Sequence, residues 1–194
     1  MAQYIYSICR FIVIIFLALL PLAAQSNNLF DFQLSLAKSG DAEAQFNVGE
    51  MYEIGFGVKQ NKKEARYWIT RSANQKYEKG EFKLLYWDVE RDGLEGNNKV
   101  KVKELNMRAN QGNAQAQYYL GKMYAHGVGI DKNSDVAFDW LNKAASAGVL
   151  EAELDLTSVR EEKQYEEQQK ALLKKRFESD LCSSNSARFL STCR

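Results

Sequence analysis

A chain of 194 residues with 26 basic and 25 acidic side chains has a formal charge of +1. It therefore offers neither nucleic acid nor an anionic membrane surface a long-range field. One histidine and three cysteines leave little material for a metal centre or a nucleophile–histidine pair.

Residues 1–24 read as a signal peptide. Arg10 precedes the apolar run Phe11–Leu20, Pro21 breaks that run, and Leu22-Ala23-Ala24 leads to a cut ahead of Gln25. The apolar stretch also extends back over Ile5–Cys9, which leaves a second outcome open, retention as a signal anchor. Either way the segment predicts export, to the periplasm or the extracellular space. Cys9 is not in a Leu-x-x-Cys box, so no lipid anchor is expected. Roughly 170 residues then remain, enough for one continuous stacked core.

The rest of the chain is organised by a 36-residue period. Sliding the sequence by that step aligns Ala44, Gly80, Ala116 and Ala152, then Phe46, Phe82, Tyr118 and Leu154. Gly57, Gly93 and Gly129 form a further column, as do Asn61, Asn97 and Asn133, and Ala73, Ala109 and Ala145. A repeat of this length marks an α-solenoid, whose units bury their apolar faces only by stacking. Residues 25–39 form an N-terminal capping helix, the second half of a unit; one period back from Ala65, Trp68 and Ala73 lie Leu29, Phe32 and Ala37. The array covers 40–156: a full unit at 40–75, a degenerate one at 76–111, a full one at 112–147 and a partial one at 148–156.

Each full unit reads as two helices. In the first, Asp41 opens a helix with Ala44, Val48, Met51 and Tyr52 on one face, which ends at Gly55-Phe56-Gly57. Asn61 then caps a second helix buried through Ala65, Trp68, Ile69 and Ala73. The third unit repeats this stripe as Ala137, Trp140, Leu141 and Ala145.

The segments Gly40-Asp41-Ala42-Glu43-Ala44-Gln45-Phe46-Asn47-Val48-Gly49-Glu50-Met51-Tyr52 and Gly112 through Tyr124 resemble the signature of the Sel-1-like repeat family, relatives of the tetratricopeptide class. The resemblance covers about Gly40 to Glu153. It implies an all-α fold, a right-handed α-solenoid of helix–turn–helix repeats closed by a C-terminal capping helix. The middle copy departs from the signature with Leu85, Asp88, Arg91 and Glu104, which puts its local packing in question.

Residues 157–181 form a charged C-terminal helix, with Ser158 and Glu161 as a capping box that starts a new helix or bends the old one. Its few apolar positions are Tyr165, Leu172, Leu173 and Phe177. In the tail, 182–194, Cys182 and Cys193 are the cysteines left after leader removal. In an exported chain such a pair is expected to form a disulfide.

No catalytic constellation emerges. His126 lies in the turn after the third unit's first helix, and Gly127-Val128-Gly129 is the counterpart of Gly55-Phe56-Gly57, so it is a helix–helix turn and not a phosphate loop. No cofactor, metal or nucleic acid is expected, nor a membrane unless the leader is retained; the expected state is a monomer. What remains is a surface. Positions that vary among copies make a stripe on each first helix: Glu43, Asn47, Glu50 and Ile54; Lys79, Lys83, Tyr86 and Glu90; Gln115, Tyr119, Lys122 and His126. The resemblance implies that first helices line a concave groove holding a partner protein. Its central residues would be Asn47, Glu50, Lys83, Tyr86, Tyr119 and Lys122, with the tyrosines as anchors. The expected function is a non-enzymatic scaffold or adaptor in the periplasm or envelope. The alternative is an immunity-type protein that neutralises a delivered toxin. A repeat-fold hydrolase is disfavoured, because cysteine-rich members of the family pair cysteines within repeats and these repeats contain none.

Overall fold

The computed structural model describes residues 29–183, with side chains described through residue 180. The leader at 1–24 and the pairing of Cys182 with Cys193 lie outside the described residues. Among those described there are eight helices and no strand: α1 (29–39), α2 (Ala42–Ile54), α3 (Lys62–Asn74), α4 (Glu78–Asp92), α5 (Asn98–Asn110), α6 (Ala114–His126), α7 (Ser134–Ser146) and α8 (Leu150–Ser183). This is an α-solenoid of helix–turn–helix repeats. The chain divides between Asp88 and Val89, inside α4, into two units.

In the first unit, α2 and α3 form one repeat. The Asp41 side chain accepts from the Ala44 N–H at 2.6 Å, satisfying a donor that the first helical turn leaves free. Gly55 ends α2 in the left-handed region, where a side chain would be strained, and its N–H returns to Met51 O at 2.9 Å. Asn61 caps α3 by accepting from Lys63 and Glu64, while its own N–H reaches Tyr52 O at 2.9 Å and ties the two helices together. The core gathers Phe30, Ala37, Ala44, Val48, Met51 and Trp68, with Phe30 edge-on to Tyr52 at 5.2 Å.

On α1, Ala37 is buried as expected, but Leu29 and Phe32 are not: Phe32 is 58% exposed. In a full repeat those positions are covered by the unit's own first helix, as α2 covers Ala65 and Trp68. No described helix does this for α1, which instead turns Phe30, Leu34 and Ala37 toward α2.

In the second unit, α6 and α7 reproduce the first repeat closely. Asn113 accepts from Ala116, Gly127 returns its N–H to Met123 O, Asn133 caps α7, and Asn133 N–H reaches Tyr124 O at 2.9 Å. The close approach of paired helices depends on Gly121. A Cβ there would lie 2.8 Å from Leu141 Cγ and 3.1 Å from its backbone N. Two expectations for α7 shift. Leu141 and Ala137 are fully buried, but Trp140 is half-buried with Lys143 Nζ 4.1 Å from its ring centre, and Ala144 rather than Ala145 is the buried alanine.

The degenerate middle copy keeps buried apolar positions in each of the two units. Phe82, Leu85 and Val89 on α4 are buried, as are Leu105 and Ala109 on α5, while Glu104 is exposed and holds Arg108 at 2.7 Å. Asn97 departs from its column. It is right-handed helical with no side-chain cap, and Asn98 instead donates to Gly93 O at 3.1 Å.

The expected start or bend near Ser158, and with it the boundary between 156 and 157, is replaced by one unbroken helix, Leu150–Ser183. No glycine or proline follows Gly148, so nothing in the chain interrupts the hydrogen-bond ladder. Thr157 Oγ1 satisfies itself on Glu153 O at 3.2 Å, as an interior helical residue does. Residues 160–166 are fastened to the start of α7. Lys132 pairs with Glu162 and Asp135 with Lys163 at 2.6 Å, and Ser134 Oγ donates to Glu166 at 3.3 Å. The Lys163 ammonium, hydrogen-bonded to Asp135, holds that carboxyl below its ordinary range.

Candidate binding surface on the first helices

Every first helix needs one face for its repeat partner and leaves another for something else. On α2 the buried residues Ala44, Gln45, Val48 and Gly49 take the inward side. Gln45 was not singled out from the sequence, yet it is fully buried and donates to Ala37 O at 3.1 Å. Gln117 does the same to Ala109 O at 3.1 Å. The glutamine of the repeat thus gives a carbonyl at the end of the preceding helix a second donor, beside the backbone N–H of Gly40 or Gly112.

The variable stripe occupies the other side, partly exposed. Asn47 is half-buried with its amide 3.4 Å from Gln33 Oε1. Lys83 on α4 pairs with both Glu50 and Glu53 of α2, and its Nζ lies 5.2 Å from the Trp87 ring centre. The Lys83 side chain is only 12% exposed, against 35% for Glu50. Burial alone would lower its pKa, but the two carboxylates outweigh that and hold the ammonium above the ordinary lysine value. Glu50 Oε1 and Glu53 Oε2 are themselves shielded from water with no well-aligned hydrogen-bond donor, so they depend on the Lys83 charge. The cluster carries one net negative charge.

In the second unit the charges are reversed. Lys122 on α6 lies 3.8 Å from Asp155 on α8, with its Nζ 5.5 Å from the Tyr118 ring centre. Both pairs join residues 33 apart, Glu50 to Lys83 and Lys122 to Asp155. That recurrence of opposite charges was a sequence signal for neighbouring first helices, and it would have found Asp155; Glu53, 30 residues from Lys83, falls outside it.

The two tyrosines separate. Tyr86 is half-buried. Tyr119 is 5% exposed and packs edge-on against Tyr118 at 5.0 Å, so it is a packing residue and not a free anchor. It escaped the alternation because its counterparts, Asn47 and Lys83, are polar. His126 is the exposed last residue of α6. Among the described residues no three His, Cys, Asp or Glu side chains are placed to hold a metal ion.

Helix pairs with a repeating buried core and a varied first-helix face define a repeat array of the α-solenoid class. The Sel1 repeat profile matches residues 42–77 and 114–149, the two units with intact caps. Those two segments are Sel1 repeats by that match. The chain is similar to chitin synthase regulatory factor 3 of Schizosaccharomyces pombe, with 31% identity over 131 residues, 65% of this chain and 14% of that one. It is also similar to the sel1-like repeat-containing protein L18 of Acanthamoeba polyphaga mimivirus, with 51% identity over 39 residues, 20% of this chain and 7% of that one. The chain thus spans a small fraction of these relatives. Two solved structures also align. One is a protective antigen of uropathogenic Escherichia coli displaying an SLR fold, at 30% identity and TM-score 0.45, covering 69% of this chain and 29% of the other. The second is a Sel1 repeat protein from Oxalobacter formigenes, at 28% identity and TM-score 0.33, covering 69% and 49%. Sel1-repeat proteins are in general protein-interaction scaffolds, and the fold is typically non-enzymatic.

Proposed function

We propose that this protein is a non-enzymatic adaptor, exported to the cell envelope, that holds a partner polypeptide against its first-helix face. The observation that carries this reading is the Glu50–Lys83–Glu53 cluster with Trp87 beside it. Its side chains are fixed in advance by mutual pairing, yet the carboxylates remain about one-third exposed. A partner meeting such a surface loses less side-chain entropy than one that must order free lysines and glutamates. Half-buried Tyr86 supplies contact area one helical turn from Lys83. The signal-peptide pattern of residues 1–24 supports the location.

Two experiments test the reading. Residues 1–30 fused to a reporter active only outside the cytoplasm should give activity; a silent reporter would remove the envelope from the proposal. Affinity capture from envelope extract should be lost with Tyr86→Ala combined with Glu50→Gln. It should survive Lys63→Ala combined with Asp139→Ala, two exposed positions on second helices. The opposite pattern would move binding to the second-helix side.

A further inference from the structure

Helix α8 continues well past the elements that support it. Its last side chains tied to α7 or to the turn before it are Glu162, Lys163 and Glu166. Every residue from 167 to 179 is exposed. At about 1.5 Å per residue that is roughly 20 Å of helix without a described neighbour, and isolated helices of this length are marginal in water. The segment nevertheless carries large apolar side chains: Leu172 and Leu173 are exposed, as is Phe177 at 68%. Tyr165 and Leu172, seven residues apart, fall on one line with exposed Leu154. Leu154 stands in the repeat column of Phe46, Phe82 and Tyr118, all of which are buried, yet it is 76% exposed. This line points away from the residues that face α7.

The charges of α8 say what fits there. The stretch before Gln168 carries Glu161, Glu162, Glu166 and Glu167; the stretch after Gln169 carries Lys170, Lys174, Lys175 and Arg176. A second α8 laid alongside in parallel would set Lys174, Lys175 and Arg176 against their own copies. Laid antiparallel and centred between Gln168 and Gln169, it sets Tyr165 level with Leu172 of the other copy, and Glu161 level with Arg176. Each contact then occurs twice, as two-fold symmetry requires. Glu161 is exposed, and its turn of the helix lies on the same side as Tyr165.

We propose that the distal part of α8 is a self-docking surface that pairs antiparallel with α8 of a second copy of this chain. The overlap from Glu161 to Arg176 is about 24 Å long, and one helix pair of that length buries less than the roughly 1,200 Å² of a standard interface. The dimer is accordingly weak, with Kd on the order of ten micromolar.

Sedimentation equilibrium of the whole protein, with reductant present so that cysteines cannot link copies, should show monomer and dimer exchanging across that concentration range. Glu161→Lys alone and Arg176→Glu alone should each be monomeric, since each sets like charges level. An equimolar mixture of the two should dimerise again, at about the wild-type Kd, because each lysine then meets a glutamate. Both substitutions are at exposed helix positions and should leave helix content unchanged by circular dichroism. A wild-type chain that stays monomeric at tenfold higher concentration overturns the proposal. So does a mixture that fails to recover, which would assign the apolar line to another protein or to the chain's own residues beyond 183.

Discussion

Lys83→Met removes the cation between Glu50 and Glu53 while keeping most of the aliphatic stem. Breaking a buried ion pair by deleting one partner costs about 3–5 kcal/mol when the remaining charge is fully enclosed. Here Glu50 and Glu53 keep side-chain exposures of 35% and 31%, so water screens part of the orphaned charge. The expected cost is about 2 kcal/mol at pH 7.5, roughly a thirtyfold change in the folding equilibrium. The pH dependence gives the sign. In the wild type the Lys83 pKa is raised above 10.5. Its contribution is thus fully present below 10.5 and lost only as pH climbs through the folded value. Urea unfolding followed by far-ultraviolet circular dichroism at pH 7.5 reads the loss. A further variant adding Glu50→Gln and Glu53→Gln to Lys83→Met should recover most of the loss. A cost below about 0.5 kcal/mol at pH 7.5 would refute the reasoning.

Thermal and urea unfolding of three alanine variants should separate the two tryptophan positions from the middle repeat's equivalent. Trp68→Ala, at a residue 6% exposed, should cost about 3–5 kcal/mol. Half-buried Trp140 should cost about 1–2 kcal/mol and exposed Glu104 less than about 1 kcal/mol; equal losses at Trp68 and Trp140 would mean that the latter is covered in solution. Gln117→Leu removes the side-chain donor to the Ala109 carbonyl, which keeps the Gly112 N–H, and should cost about 1 kcal/mol; a neutral result would show that the backbone donor suffices. Tyr119→Ala should lower the melting temperature clearly while Tyr86→Ala changes it little, a contrast that a single scan of each variant can reverse.

The parts of the fold that recur were legible, because recurrence separates packing from chance. The Asp41 and Asn61 caps, the Gly55 turn, and the Val48 and Ile69 core positions all follow from one 36-residue comparison. What escaped was set by neighbours that a single repeat does not reveal. Trp68 and Trp140 are the same residue at the same offset, yet only the first is buried. Tyr119 varies among copies as a surface residue would, yet aromatic packing against Tyr118 takes it inward. Phe32 sits where Trp68 sits, but the helix that would cover it is not among those described. At Ser158 a plausible capping pattern lost to the absence of any helix breaker after Gly148. Of the predicted binding residues, Asn47, Glu50, Lys83, Tyr86 and Lys122 remain partly exposed on the first helices. The ion pairs that fix three of them become visible only when residues 33 apart are compared.

The most direct test of the adaptor reading is site-specific photo-crosslinking in the native envelope, with benzoylphenylalanine placed in turn at Tyr86 and at Asp139. The first position is on a first helix beside the Lys83 cluster, and the second is exposed on a second helix. A discrete adduct of one partner protein from position 86, and none from position 139, is the predicted result. An adduct from position 139 alone would contradict it.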